Sequence, residues 1–298
     1  MDVMRSLLFV PGNRADMLDR ARTVPADVLV PDLHNSVPPR EKERGRQVIA
    51  DALPALAGGR RRIIPRLNPM HTGLTEDDLA AVAGPHIQGV TMGMTSTVDD
   101  VRLLDAMLAK AETNAGLRPA SLKLVLWIET ALSLVNAFEL CRASPRLVAV
   151  ASAIEGFTVD MGVERTFEWE DEQVQEHYLL SRTAVAARAA GVQALDAACL
   201  VVGDEERLAK EAHRARLLGY TGKFAIHPRQ VEQVNRLFTP SEREVARARR
   251  VLQAASEAES QGRGATTLDG ILVDAPVIAR ARALLARLDA ITQHESGR

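Results

Sequence analysis

Eight short apolar runs alternate with longer amphipathic segments along most of this chain of 298 residues. The runs cover residues 6–10, 28–33, 62–67, 89–92, 122–128, 147–151, 193–200 and 223–226. Apolar strands that alternate with amphipathic helices are typical of βα units, which build a parallel sheet. Eight such units favour a closed α/β barrel.

The segments between the runs carry apolar residues three and four positions apart, as amphipathic helices do. Predicted helices cover residues 40–53, 98–113, 130–141, 173–190 and 205–218. After the eighth run, Thr239-Pro240-Ser241-Glu242 is a helix-start signature, and the helix that it opens extends to about Gln261. A Gly-rich loop then leads to a last helix from Pro276. We therefore predict a barrel over residues 1–238 and a C-terminal helical arm over residues 239–298.

The charge and the cysteines of the chain restrict its partners and its compartment. The formal net charge is −2, and Lys and Arg are spread through the chain, so we expect a small-molecule partner and neither nucleic acid nor a membrane surface. Cys141 and Cys199 lack the spacing of metal ligands or redox pairs, which predicts reduced, buried thiols and a cytoplasmic protein. The apolar stretch 7–10 ends at Pro11-Gly12, far below the length of a signal peptide or a membrane span.

Two opposite charges stand where two of the predicted strands end. Glu129 follows the run 122–128, and Arg66 closes the apolar segment 63–65. Because the active site of a parallel α/β barrel forms at the C-terminal ends of its strands, both are candidate catalytic or binding residues. The alternative is a structural ion pair. Trp127 lies in the same run, 122–128, and is expected to pack against the helical layer.

Several motifs follow one another along the chain. They are RSLLFVPGNR at 5–14, DL at 32–33 followed by Val37, Pro39 and Lys42, RLNP at 66–69, IETA at 128–131, GKFAIHP at 222–228, GA at 264–265, DG at 269–270 and VDAP at 273–276. Together they resemble the citrate lyase β-subunit-like family of the HpcH/HpaI aldolase superfamily. The resemblance implies a (β/α)8 TIM barrel with a C-terminal arm that reaches a neighbouring subunit, in a homotrimer or a hexamer. It also implies an Mg²⁺-dependent lyase or synthase that acts on a carbon–carbon bond of β-hydroxyacyl-CoA thioesters such as malyl-, citramalyl- and citryl-CoA.

The chemistry implied by the resemblance suits the residues at the strand ends. Cleavage leaves negative charge on a thioester enolate, which a divalent cation and an arginine can stabilise. Glu129 suits the metal, which is Mg²⁺ or else Mn²⁺ or another divalent ion, and the planar fork of Arg66 suits the carboxylate of a small keto acid. Arg14 and Lys42 are candidate contacts to the phosphates of the acyl-CoA, with solvated surface cations as the alternative.

The chain departs from the family at acidic positions. Where the family has Asp-Leu-Glu-Asp after the second strand, residues 32–35 read Asp-Leu-His-Asn. Where it has Gly-Ala-Glu-Asp after the sixth strand, with the last Asp as the second magnesium ligand, residues 153–156 read Ala-Ile-Glu-Gly. The family's Pro-Lys after the fourth strand is Gly93-Met94 here. Glu155 is therefore a candidate second metal ligand, and Asp160 is another, if the loop is displaced.

These departures leave three functions open. The first keeps the family chemistry, with a weaker Mg²⁺ site that Glu129, substrate oxygens and water complete. In the second, His34 acts as a general base or binds a transition metal, so that the same barrel carries out altered chemistry. The third is a non-catalytic paralogue that still binds an acyl-CoA or assembles with a true lyase.

Asp274, in the VDAP motif of the arm, has two interpretations. The resemblance implies that this aspartate enters the site of a neighbouring subunit, where a carboxyl group can exchange a proton with the substrate. The alternative is helix capping, because an aspartate two residues before Pro276 is a common start signal.

Overall fold

Ten β-strands and twelve α-helices form within the residues that the computed structural model describes, 3–58 and 61–297. The strands are β1 (Ser6–Pro11), β2 (Val28–Asp32), β3 (Arg62–Ile63), β4 (Gly89–Met92), β5 (Lys123–Ile128), β6 (Leu147–Ser152), β7 (Gln193–Asp196), β8 (Gly222–Ala225), β9 (Thr266–Leu268) and β10 (Ile271–Val273). The helices are α1 (Ala15–Ala21), α2 (Lys42–Leu56), α3 (Thr75–Val82), α4 (Val98–Asn114), α5 (Ala131–Val135), α6 (Ala137–Arg142), α7 (Ile154–Asp160), α8 (Trp169–Ala190), α9 (Glu205–Leu218), α10 (Pro228–Phe238), α11 (Glu242–Ser260) and α12 (Ala275–Ser296). Each of the strands β1 to β8 is followed by a helix, as the alternation in the sequence predicts.

The strands β1 to β8 of the described chain run parallel in one eight-stranded sheet of order β3-β2-β1-β8-β7-β6-β5-β4. Backbone hydrogen bonds join its two ends, between β4 and the segment that follows β3. Thr91 N–H donates to Pro65 O at 2.9 Å, and Leu67 N–H donates to Thr91 O at 3.0 Å. The sheet is closed, and the prediction of a (β/α)8 TIM barrel is confirmed.

Alternate residues of the strands fill the inside of the barrel. A buried cluster that includes Leu7, Val28 and Val125 occupies this interior. Their chain neighbours Leu8 and Leu29 are equally buried, on the outer face that the helices cover. Because both faces of each strand are covered, the strands read as continuous apolar runs and not as alternating ones.

Buried ion pairs tie helices to the outside of the barrel. Lys223 on β8 lies 2.7 Å from Asp196 on β7 and 2.9 Å from Glu211 on α9, measured from Nζ to the carboxylate oxygens. Arg146, just before β6, lies 2.6 Å from Glu112 near the end of α4. All five side chains are under one-tenth exposed. These pairs fix where the strands begin and end relative to the helices.

The described chain divides into two compact units, residues 4–236 and the segment from Leu237 onward with Val3. The second unit packs α11, α12 and the antiparallel hairpin β9–β10 around a small apolar cluster that includes Val251 and Ala281. The hairpin turns at Asp269-Gly270, where φ is 52° and 76°. This hairpin is absent from the predicted elements, although Asp-Gly between two short apolar segments is a strong hairpin signal.

Several predicted elements have different boundaries in the structure; the run 193–200, for example, is a strand only as far as Asp196. The predicted helix 130–141 is two helices, because α5 ends at Val135 and α6 begins at Ala137. The run 62–67 forms a strand of two residues, since Pro65 has no N–H to donate, and Arg66 pairs only through isolated bridges with Asp32 and Thr91.

Two further predictions concern the thiols and the membrane. Cys141 and Cys199 are both buried and free, as predicted. Within the described residues, no helix combines the length and the apolar composition that crossing a membrane requires.

Candidate active site

Arg66 is held inside the barrel by the backbone of its own segment. Its N–H donates to Pro31 O at 2.8 Å, and its carbonyl accepts from Leu33 N–H at 2.9 Å. The guanidinium carbon lies 5.4 Å from the centre of the Phe9 ring and 5.5 Å from that of the Trp127 ring. Arg66 is only 9% exposed. Its guanidinium therefore lies against the Phe9 and Trp127 rings and largely away from solvent.

The rings of Phe9, Trp127 and Phe224 form one aromatic surface. The Phe9 and Phe224 rings are stacked at 5.0 Å, and the Trp127 and Phe224 ring centres lie 4.4 Å apart. The Trp127 indole N–H donates to Thr91 Oγ1 at 2.8 Å. The expectation that Trp127 packs against the helical layer is therefore wrong, since its ring belongs to the interior cluster. Strand β5 is buried on both faces, so its apolar run does not indicate which residues point inward.

The guanidinium of Arg66 has no hydrogen-bonded or ion-paired partner in the described part of the chain. Its Nε is buried and lacks a hydrogen-bond partner there, and no described carboxylate forms an ion pair with its guanidinium. A buried donor without a partner costs free energy, and a guanidinium presents two parallel donors to a carboxylate. Arg66 is therefore a ready-made site for the carboxylate of a ligand.

Glu129 follows β5 and is buried near Arg66. The carboxylate, 8% exposed as a residue, accepts a hydrogen bond from Met94 N–H through Oε1. Burial raises the pKa of Glu129, while the Met94 N–H and the positive charge of Arg66 act to lower that pKa. Met94 has a φ of 55°, a conformation that residues with a side chain rarely adopt. Backbone strain at a strand end thus directs an N–H at the Glu129 carboxylate.

Two glycines make room for this carboxylate. A Cβ placed on Gly93 would overlap Glu129 Oε1. A Cβ placed on Gly156 would lie 3.0 Å from both the Cβ and the Oε2 of Glu129, which is closer than side chains normally approach. Glu129 therefore lies in a cradle that Gly93 and Gly156 leave open, and a side chain at either position would require the Glu129 side chain to shift.

The loop after β2 places His34 at the same end of the barrel. Asp32 accepts hydrogen bonds from the N–H groups of His34 and Ser36, at 2.8 and 3.1 Å. Lys42 Nζ donates to the carbonyls of Leu33 and His34, at 2.7 Å each. Among the described residues, His34 Nδ1 is buried without a hydrogen-bond partner. Burial, followed by the charge of Arg66, lowers the pKa of His34 to about 4, so the imidazole is neutral at pH 7.

Other predicted site residues contact groups outside this cluster. Arg14 is exposed and paired with Asp16 at 2.9 Å. Glu155 forms an ion pair with Arg165. Asp274 is the N-cap of α12.

Asp160 and Asp274 each accept a backbone N–H group. Asp160 accepts from Ala131 N–H at 2.7 Å, at the start of α5. Asp274 accepts from Val277 N–H at 3.4 Å. Arg66, Glu129 and His34 thus lie at one end of the barrel. Glu155 forms an ion pair with Arg165 instead.

One buried protein carboxylate, that of Glu129, is available to a metal ion at this end of the barrel. Across residues 3–58 and 61–297, no three His, Cys, Asp or Glu side chains converge in a group that could hold a metal ion. Mg²⁺ is often bound through one or two carboxylates, with water and substrate oxygens as its other ligands. The buried Glu129 beside an unpaired guanidinium fits such a cation, provided that a bound acid supplies further oxygens.

Sequence reasoning missed the groups that surround the two charges. Phe9 and Phe224 lie on strands β1 and β8, at positions that read as ordinary core. The role of Gly93 and Gly156 emerges only from their distance to Glu129. Counting two residues along β1 from Leu7, which faces the interior, would have placed Phe9 inside the barrel.

Known proteins match this chain over nearly its full length. The family model HpcH/HpaI aldolase/citrate lyase matches residues 5–228. The citrate lyase subunit beta of Haemophilus influenzae is 34% identical over 287 residues, 96% of this chain and 97% of that protein. An L-malyl-CoA/beta-methylmalyl-CoA lyase of Cereibacter sphaeroides is 30% identical over 308 aligned positions, which cover 97% of this chain and 95% of that protein.

A solved structure agrees with these matches. It is the protein CitE of Mycobacterium tuberculosis in complex with magnesium, acetoacetate and coenzyme A. It aligns with a TM-score of 0.80 and 27% identity, over 96% of this chain and 98% of that one. The chain therefore belongs to the HpcH/HpaI aldolase/citrate lyase family.

Proposed function

We propose that this protein is a carbon–carbon lyase, or in reverse a synthase, for a β-hydroxyacyl-CoA such as malyl-, citramalyl- or citryl-CoA. The observation that carries the proposal is the buried, unpaired Arg66 guanidinium beside Glu129 at the C-terminal end of the barrel strands. The relatives support the reaction class, because they are named citrate lyase subunit beta and malyl-CoA lyase. The related structure that holds magnesium and coenzyme A supports the same ligands here.

Arg66 and Glu129 have separate roles in this proposal. Arg66 binds the carboxylate on the β-carbon side of the substrate, which becomes the carboxylate of the 2-oxo acid product. Glu129 holds a divalent cation, Mg²⁺ or Mn²⁺, with substrate oxygens and water as its other ligands. When bound, such a cation supplies a positive charge that stabilises negative charge on substrate oxygens.

The bond changes require two proton transfers, one from the β-hydroxyl and one to the α carbon. The β-hydroxyl loses its proton, and the bond between the α and β carbons breaks. The electron pair passes to the α carbon as a thioester enolate, and a proton then adds there to give the acyl-CoA and a 2-oxo acid. We propose Asp274 of a neighbouring subunit as the group that exchanges this proton. This role requires a homo-oligomer, a trimer or a hexamer, and we place the protein in the cytoplasm.

Arg14 and Lys42 remain the proposed contacts to the phosphates of the CoA. Arg14 is exposed, and its Nε lies 2.9 Å from Asp16 Oδ1, so an incoming phosphate competes with one carboxylate. Lys42 already holds two loop carbonyls at 2.7 Å, and its ammonium has one further donor for a phosphate.

His34 favours a second candidate function, in which the barrel carries out altered chemistry. Its Nδ1 is buried without a partner among the described residues, which leaves one ring nitrogen for a ligand. The imidazole is neutral at pH 7, but its pKa of about 4 makes it a weak base. A neutral imidazole at a strand end can accept a proton from a substrate hydroxyl. In this function His34, and not Asp274, is the general base.

Product analysis tests the proposed function. The protein with Mg²⁺ or Mn²⁺ is incubated with malyl-, citramalyl- and citryl-CoA, and the acyl-CoA and 2-oxo acid are measured separately. We expect cleavage of at least one substrate, and a fall in kcat/KM of about 100-fold or more in Arg66→Met. The control Arg102→Met removes an exposed arginine, paired with Asp99 at 3.1 Å, and should leave the rate unchanged.

Fluorescence adds a readout of binding that does not depend on turnover. Because the guanidinium of Arg66 lies 5.5 Å from the Trp127 ring, a 2-oxo acid bound to Arg66 should change the emission of that tryptophan. No cleavage of any substrate, together with acyl-CoA binding, would favour the non-catalytic paralogue. Cleavage that survives Asp274→Asn and disappears in His34→Ala would favour the second candidate.

A further inference from the structure

We infer that His34 is a specificity-determining residue, whose Nδ1 donates a hydrogen bond to the carboxylate of the 2-oxo acid that Arg66 binds. This inference rests on the proposed function and adds a second protein contact to the same ligand group. In this role His34 contributes to binding and not to proton transfer. Together the two residues select substrates whose β-carbon carries a carboxylate.

The backbone places His34 and Arg66 at neighbouring strand ends. Asp32, the last residue of β2, pairs with Arg66 in a parallel bridge. Leu33 N–H donates to Arg66 O at 2.9 Å, and His34 is the next residue along the chain. Neighbouring strands lie about 4.8 Å apart, so the two side chains begin within reach of one small ligand.

The loop that carries His34 is fixed by its own hydrogen bonds. The two oxygens of Asp32 accept the N–H groups of His34 and Ser36, at 2.8 and 3.1 Å. Lys42 Nζ donates to the carbonyls of Leu33 and His34, at 2.7 Å each. A loop that is already fixed loses little conformational freedom when a ligand binds, which favours affinity.

Two buried nitrogen atoms at these strand ends lack partners among the described residues. They are His34 Nδ1 and Arg66 Nε. A buried polar atom without a partner costs free energy, and one carboxylate can remove both costs because each of its oxygens accepts more than one hydrogen bond. A substrate whose β-carbon carries no carboxylate would leave both atoms unpaired and should bind less tightly.

The protonation state of His34 suits a binding role. Burial, followed by the charge of Arg66, lowers the pKa of His34 to about 4, so the imidazole is neutral at pH 7. A neutral imidazole has one N–H and one bare nitrogen, so Nδ1 carries the proton when it donates to a carboxylate. Because such a weak base accepts a proton poorly, ligand binding fits this residue better than base catalysis does.

Pyruvate binding and cleavage kinetics, measured on the same variants, test this inference. Pyruvate is titrated in the presence of Mg²⁺ with tryptophan fluorescence as the readout, because the Trp127 ring lies 5.5 Å from the guanidinium of Arg66. For His34→Leu we expect the Kd for pyruvate and the KM for the acyl-CoA substrate to rise about tenfold or more, since a hydrogen bond to a charged group is lost. The value of kcat should change by less than about threefold, as it does when only binding is removed.

Two amide variants separate the hydrogen bond from the shape of the side chain. The amide of asparagine reaches the position of Nδ1, whereas the amide of glutamine reaches that of Nε2. His34→Asn should therefore keep the Kd for pyruvate within about threefold of the natural value, and His34→Gln should bind as weakly as His34→Leu. His213→Leu removes an exposed histidine of α9 and is the control, with an unchanged Kd. Thermal unfolding verifies that each variant folds, and the two amide variants decide the matter if His34→Leu does not.

The outcomes separate this inference from the proposed function. A protein that cleaves its substrate, but whose Kd for pyruvate and KM are unchanged in His34→Leu, would overturn the inference and leave the function intact. A lower kcat with an unchanged KM would also overturn it and would make His34 the general base. Restored binding in His34→Gln, or in neither amide variant, would remove Nδ1 from the contact. A natural protein that neither cleaves any substrate nor binds pyruvate would overturn the proposed function, and the inference with it.

Discussion

At the scale of single residues, Arg66 shows a conflict between stability and binding. Its guanidinium is buried, and its Nε has no hydrogen-bond partner among the described residues. The desolvation of an unsatisfied buried donor costs on the order of 1–3 kcal/mol, and the rings of Phe9 and Trp127 offset part of that cost. Such a residue is retained for a ligand and not for the fold.

This conflict predicts that Arg66→Met removes activity without loss of stability. Methionine keeps apolar contact with the Phe9 and Trp127 rings and removes an unpaired charge, so we expect the free energy of unfolding to fall by less than about 1 kcal/mol or to rise. Urea denaturation of both proteins measures this difference. A loss of about 3 kcal/mol or more would mean that Arg66 has a structural partner and that its charge is not held for a ligand.

The sequence predicts the two charges of the site but not the groups that position them. Arg66 and Glu129 each close an apolar run, and the closed barrel brings strand ends together, so their proximity follows from pattern and fold. The inward direction of Trp127 does not, because a strand buried on both faces has no polar residue to mark its outer side. The cradle of Gly93 and Gly156 depends on distances below 3.5 Å, which no residue pattern specifies.

At the scale of elements, one carboxylate joins a helix to two strands. Glu112 near the end of α4 accepts N–H groups from Ala120 at 2.9 Å and Leu122 at 2.8 Å, before β5. Arg146, before β6, donates to both of its oxygens at 2.6 and 2.8 Å. Burial acts to raise the pKa of Glu112, but the hydrogen bonds of Arg146, Leu122 and Ala120 outweigh it, and the pKa is lowered.

We therefore predict a stability difference that depends on pH for Glu112→Gln. Because the folded pKa lies below the ordinary value of 4.5, the contribution of Glu112 is complete above that value and is lost as the pH falls through the folded pKa. At pH 7 the variant should lose about 2–3 kcal/mol of the free energy of unfolding. This difference from the natural protein should become smaller below pH 4.5.

Denaturant unfolding at a series of pH values measures this gap. The control is Glu76→Gln, which removes an exposed carboxylate 3.3 Å from Lys110 and should change stability by less than about 0.5 kcal/mol. A gap for Glu112→Gln that stays constant down to pH 3 would show that packing, and not the charge of Glu112, joins these elements.

The ion triad between β7, β8 and α9 gives a second prediction for an element. Lys223 lies between Asp196 and Glu211, and all three side chains are buried. Lys223→Met leaves two buried carboxylates without their cation, so we expect a loss of about 3–5 kcal/mol in the free energy of unfolding. Lys210→Met, which removes an exposed lysine 2.8 Å from Glu206, is the matched control. Equal stability of the two variants in thermal unfolding would contradict the proposed importance of the triad.

The elements themselves were predictable to different degrees. Runs such as 89–92 and helices such as 205–218 match β4 and α9 in both boundaries, because apolar spacing and the Asp204 cap mark them. The hairpin β9–β10 has three residues per strand, too few for a periodic signal, and only its Asp-Gly turn marks it. The break at Asn136 between α5 and α6 interrupts a continuous amphipathic pattern, so periodicity alone joins the two helices.

At the scale of the whole molecule, the proposed mechanism needs more than one subunit. Asp274 is the N-cap of α12, accepting Val277 N–H at 3.4 Å, and is also the proposed proton-transfer group of a neighbouring site. Asparagine caps a helix as well as aspartate does but cannot transfer the proton. Asp274→Asn should therefore keep its stability and its oligomeric state while kcat falls by about 100-fold or more. Asp204→Asn, at the N-cap of α9, is the matched control and should remain active.

Mixing two inactive variants tests whether Asp274 acts across subunits. Arg66→Met lacks the carboxylate-binding group, and Asp274→Asn lacks the proton-transfer group, so neither homo-oligomer should turn over. If each site combines Arg66 of one subunit with Asp274 of another, then co-refolded mixtures contain some sites with both groups intact. A complete site needs Arg66 from an Asp274→Asn subunit and Asp274 from an Arg66→Met subunit. Random assortment of equal amounts therefore gives about a quarter of the natural activity. A mixture as inactive as its components would place Asp274 in the site of its own subunit, and a neighbouring subunit would then not be needed for turnover. An Asp274→Asn variant that is itself active would show that Asp274 is a helix cap only.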